Sequence, residues 1–216
     1  MGTRPSAMRH ALALIPALLL LPGAQAAEPP SDSPSPKYPR IFRTFMPEAG
    51  PSAFAVELSP KLSLCYDPLR GGVNQVWSGT IDLSPTWQAK INQPAKIVGP
   101  VFYRETGKHP LRLSGSASAP RRRSRAYHYE EGAVAFEFTL GGRPVTETLR
   151  ASEDGRSLLR EFKLPAGSAP AFFRLEAQPD ADVKVSGGKE VEPGLWQFAP
   201  GSPLTLLITP KKGTPR

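Results

Sequence analysis

From Val134 to Arg150 apolar and polar side chains alternate: Val134, Phe136, Phe138 and Leu140 share one parity, Gly141-Gly142 follows, and Val145 to Arg150 returns. A two-residue period puts alternate side chains on opposite faces of a strand, and paired glycines supply the positive φ of a primed turn. The stretch therefore predicts an antiparallel hairpin with one apolar face. The same rhythm recurs in Phe54, Val56 and Leu58, in Leu62, Leu64 and Tyr66, and in Leu158, Arg160, Phe162 and Leu164. It returns in Phe173, Leu175 and Ala177, in Val183 to Val185, in Leu195 to Phe198, and in Leu204, Leu206 and Ile208. Asp67-Pro68-Leu69-Arg70-Gly71-Gly72, Glu153-Asp154-Gly155-Arg156 and Gly187-Gly188 punctuate it as turns. Ser84-Pro85-Thr86-Trp87 predicts a turn or a single helical turn, the latter with Ser84 as cap and Pro85 at the first helical position. No longer segment after the N-terminal apolar run has a 3.6-residue period. The predicted fold is all-β, an antiparallel β-sandwich with meander connections and no internal repeat.

The N-terminus predicts an exported chain. Arg4 and Arg9 precede the apolar run Ala11 to Leu21 and the small-residue site Ala24-Gln25-Ala26, the layout of a signal peptide over residues 1–26. Residues 27–40 hold five prolines between Pro29 and Pro39, a composition that cannot bury a core and predicts a disordered leader. A single sandwich domain is expected over 41–210. Later stretches are too short and polar for an integral membrane segment. Removing Arg4 and Arg9 from the 27 basic residues leaves 25 against 19 acidic, a net +6, which permits attraction to anionic surfaces. Cys65 stands alone, so no intramolecular disulfide forms and a small core residue is the expectation for it.

Catalytic signatures do not emerge. His109, His128 and Cys65 lie too far apart in sequence for a zinc-type ligand set, and no metal or cofactor is expected. Glu130 and Glu131 follow His128 closely enough to orient it, but a sheet-face residue is the plainer expectation. Ser114-Gly115-Ser116 lacks a nucleophile elbow. Asp67 and Asp82 are the acids of the central apolar stretch and the pair a glycosidase would need; each is also explained as a turn-former, which leaves a hydrolase as the remotest reading. Trp77, Asp82, Trp87 and Tyr103 make a candidate glycan site, because sugars bind flat aromatic faces beside a few hydrogen-bonding groups, although both tryptophans equally suit a core. Arg121, Arg122, Arg123 and Arg125, ahead of Tyr127-His128-Tyr129, make a candidate patch for an anionic partner at the end of an exposed excursion over 105–125. The exported address disfavours nucleic acid.

Several phrases carry a family resemblance: Arg43-Thr44-Phe45-Met46-Pro47, Ala53-Phe54-Ala55-Val56, Leu64-Cys65-Tyr66-Asp67, Val76-Trp77-Ser78-Gly79, Ile81-Asp82-Leu83-Ser84-Pro85-Thr86-Trp87 and Gly99-Pro100-Val101-Phe102-Tyr103. Over residues 39–164 the chain resembles a β-rich accessory module of exported bacterial proteins, often found with c-type cytochrome domains and sometimes with sugar-dehydrogenase-like propellers. The resemblance implies a non-catalytic interaction module in a periplasmic or extracellular redox or sugar-oxidising assembly. This chain has no Cys-x-x-Cys-His, so the implied cytochrome or dehydrogenase is a separate polypeptide. A carbohydrate-binding sandwich is the rival expectation.

Overall fold

The computed structural model describes residues 37–88, 93–107, 109–113, 120–166 and 168–213. The signal peptide, the leader as far as Pro36, and Ser114-Gly115-Ser116 lie outside the described residues. The chain runs through β1 (Arg40–Arg43), β2 (Phe54–Ser59), β3 (Leu62–Asp67), β4 (Gly72–Ser78), β5 (Thr80–Asp82), helix α1 (Ser84–Gln88), β6 (Lys96–Val98) and β7 (Val101–Arg104). It continues with β8 (Leu111–Arg112), β9 (Arg122–Glu130), β10 (Ala133–Leu140), β11 (Arg143–Ala151), β12 (Leu158–Lys163) and β13 (Ala171–Arg174). It closes with β14 (Ala181–Ser186), β15 (Lys189–Glu192), β16 (Leu195–Phe198) and β17 (Leu204–Pro210).

The fold is all-β and antiparallel. A five-stranded sheet β1-β2-β3-β4-β7 faces a six-stranded sheet β14-β17-β12-β11-β10-β9, flanked by a four-stranded sheet β15-β16-β13-β8. Meander connections run through β1 to β4 and β9 to β12, while β17 fits between β12 and β14. The hairpin legible from Val134 onward forms in register, Phe138 opposite Val145 and Leu140 opposite Arg143, and Gly141 and Gly142 take φ of 57° and 87°. Side chains of matching parity from both large sheets build the main core, including Val56, Leu64, Phe138, Leu149, Phe162 and Leu206. Tyr66 stacks on Phe136 across it, ring centroids 3.6 Å apart.

Period-2 patterning predicts one buried face for β2 and β3, whereas nearly all their residues are buried, on both faces. Their second face carries Ala55 and Cys65, which with Met46, Ala53, Trp77 and Ala95 form a separate core. Ile81, Leu83 and Ile97, from and beside the β5–β6 hairpin, pack over it. Small side chains on that parity let a cover lie close to the sheet, and Trp77 fills the space between.

Candidate functional site

Six polar side chains meet between the large sheets. Arg160 of β12, fully buried between Leu158 and Phe162, donates from Nε to Glu147 Oε1 of β11 at 2.7 Å. It also pairs through Nη1 with Glu105, just beyond β7. Glu147 Oε2 accepts from the Tyr66 hydroxyl at 2.9 Å and faces Arg122 Nη2 of β9 at 3.5 Å. Arg122 in turn donates to the Tyr66 hydroxyl at 2.6 Å and to the Gly71 carbonyl at 2.9 Å, its guanidinium 3.4 Å from the Phe138 ring centroid. Tyr103 closes the group by donating to Glu105 Oε1 at 2.8 Å. Two arginines balance two glutamates, the condition under which charges can sit in a low-dielectric core.

Burial sets the protonation of these groups. It pushes the Tyr66 and Tyr103 hydroxyls well above the usual phenol range, which keeps them neutral donors. Desolvation opposes the charge on Arg160, but Glu105 and Glu147 outweigh it and hold the guanidinium protonated. Burial raises the Glu105 carboxyl against the pull of Arg160. A carboxyl with a raised folded pKa binds its proton more tightly in the folded state, so its contribution is fully present below its unfolded value and is lost as pH rises through the folded one. Glu105→Gln is therefore expected to lose least, relative to wild type, near neutral pH and most at the acidic end, as read from urea unfolding at a series of pH values. A stability difference that grows steadily from acid toward neutral pH would overturn this.

The network is tightly framed. Gly72, at φ 126°, lies so close that an added Cβ would meet Arg160 Nη2 and Glu147 Oε2 at 3.0 Å. Beside it a cleft of about 550 Å³ is lined by Arg43, Ser52, His109, Arg122, Arg123 and Ser124, among others, and by no acid among the described residues. Arg121, Arg123 and Arg125 are exposed on and beside β9, where they also line a second groove of about 710 Å³ that holds no acid among the described residues.

The structure divides the residues singled out by sequence. Arg122 turns inward, its side chain only 3% exposed, because its strand position falls opposite Leu140 on the core-facing parity. The outward basic patch is therefore Arg121, Arg123 and Arg125. Trp77 and Tyr103 belong to cores, Trp77 with its indole N–H donated to the Thr80 carbonyl at 2.8 Å, so neither offers an open ring face. Trp87 is 77% exposed on α1. Asp82 accepts from the Ser84 N–H at 2.9 Å, and hydrogen bonds from Ser84 hold its carboxyl below the usual range. Asp67 accepts from the Gly50 and Leu69 N–H groups at 2.7 and 3.0 Å. Each acid is thus bound into its own turn.

His128 lies exposed, 3.4 Å from Glu130 and 3.8 Å from Glu137. His109 lines the basic cleft. Cys65 is sealed in the second core, where burial pushes its thiol far up, so it carries no thiolate at neutral pH. Among the described residues no three His, Cys, Asp or Glu gather as metal ligands. Among them, too, no helix is long and apolar enough to cross a membrane.

Sequence reasoning missed the internal network, although part of its signal is present. Arg160 stands in the series Leu158, Arg160, Phe162, and Glu147 between Val145 and Leu149, charges on an apolar parity. No protein-family model, curated protein or solved structure matches the chain.

Proposed function

We propose that this chain is a non-catalytic interaction module that docks an acidic exported protein through the basic strand edge formed by Arg121, Arg123 and Arg125. The observation that carries the reading is the placement of three exposed arginines on and just before the outermost strand of the six-stranded sheet, beside grooves that no acid lines among the described residues. Complementary charge steers association and fixes orientation, and an edge strand leaves backbone groups free for a partner. The family resemblance suggests a separate c-type cytochrome or sugar-oxidising dehydrogenase as that partner, in the periplasm or outside the cell.

The reading predicts that tagged wild-type chain recovers a haem protein or dehydrogenase from its native envelope. Recovery should fall about tenfold or more with Arg121→Glu, Arg123→Glu and Arg125→Glu combined, and likewise at high salt. Arg122 stays untouched, so the fold is preserved. Equal recovery by the triple variant, or recovery that salt does not weaken, would overturn it. A second reading, glycan binding, is favoured by one observation: the open Trp87 indole, close in sequence to the ordered Asp82 carboxylate.

A further inference from the structure

A groove of about 460 Å³ opens where β14 and β15, joined through Gly187-Gly188, part into different sheets. Val183, Val185 and Leu175 form its apolar floor, packed against the main core together with Trp196. Its charged walls are acidic: Glu176 and Glu190 line it, and among the described residues no lysine, arginine or histidine does. Glu190 pairs directly across the strand from Trp196. Such partners share a face with Cβ atoms about 5 Å apart.

Both carboxylates are held in place. Glu176 accepts from the Thr106 N–H at 3.0 Å, the Thr106 hydroxyl at 2.8 Å and the Gly107 N–H at 2.8 Å, and Glu190 accepts from the Gly194 N–H at 2.8 Å. Neither forms an ion pair among the described residues, while neighbouring Glu192 is taken by Arg174 at 3.5 Å. In a chain of formal charge +8, an indole that shares a groove with two carboxylates, neither in an ion pair among the described residues, stands out. The face of an indole attracts cations through its quadrupole, and fixed carboxylates add a Coulomb attraction that a neutral sugar would not feel.

We propose that this groove binds an ammonium group, seated against Trp196 and facing Glu190 and Glu176. The site uses other residues than the basic docking strand and the opposite charge, so either stands if the other fails. The source is a quaternary ammonium headgroup or a lysine side chain, which share this chemistry.

The test follows the Trp196 indole N–H resonance of the full chain, assigned with Trp196→Phe, during titration with three probes. These are choline, Nα-acetyl-lysine methylamide, and 3,3-dimethylbutanol as the uncharged isostere of choline. A saturable shift with choline or the lysine amide is expected at a Kd on the order of millimolar, weakened by salt. The tighter of the two identifies the source. Glu190→Gln should weaken binding about threefold or more. Glu190 is exposed, so that variant keeps the test decisive even if Trp196→Phe fails to fold. No shift up to ~100 mM of either cation, an equal response to the isostere, or unchanged affinity in Glu190→Gln would overturn the proposal.

Discussion

Arg160→Met is expected to lower the unfolding free energy by about 3–5 kcal/mol, the range for breaking a buried ion pair from one side. Methionine replaces much of the aliphatic stem, so the loss does not arise from volume. It arises because Glu147 then retains only Arg122 and Tyr66, and Glu105 only Tyr103, as partners inside the core. Urea unfolding should show a lower midpoint with an unchanged m value. Adding Glu105→Gln should recover part of the loss, because it removes the carboxylate that Arg160→Met leaves beside Tyr103 without a cation, whereas Glu147 keeps Arg122. A loss under about 1 kcal/mol for Arg160→Met would show that water enters the network and that the two sheets do not depend on it.

Trp77→Ala is expected to cost about 3–5 kcal/mol, the range for deleting a large buried aromatic. The indole is fully buried over Ala53, Ala55, Cys65 and Ala95, side chains too small to collapse into the space, and its N–H bond to Thr80 goes with it. Thermal or urea unfolding measures the loss, and a value below about 1.5 kcal/mol would mean that the β5–β6 cover relaxes onto the sheet. The comparison with Trp87→Ala separates packing from recognition. That exposed residue should change stability by less than about 0.5 kcal/mol. Any fluorescence response to a glycan should follow Trp87 and not Trp77.

The fold was legible where side-chain parity alone decides it. Val134 to Arg150 form their hairpin because the apolar residues of both strands face one side and Gly141 and Gly142 accept the turn. The second core was not legible, because Ala53, Ala55, Ser63 and Cys65 interleave with the strong apolar series and, being small, look like an exposed parity. Strand β9 was obscured by consecutive arginines, yet it pairs along the whole of β10, since backbone hydrogen bonding needs no particular side chain. Of the candidate patch, exposure of Arg121, Arg123 and Arg125 follows from charge. The inward turn of Arg122 depends on Glu147 and Tyr66, which come from distant strands and leave no mark beside it in sequence. The Trp196 groove was equally hidden, because it exists only where β14 and β15 separate.

The sealed position of Cys65 keeps its thiol from oxidants and alkylating reagents so long as its outer layer stays shut. A reagent that reaches the sulfur must first have lifted the β5–β6 hairpin or the segment around Met46. The single thiol is thus a built-in tell-tale for partial opening of that layer, distinct from unravelling of the whole sandwich.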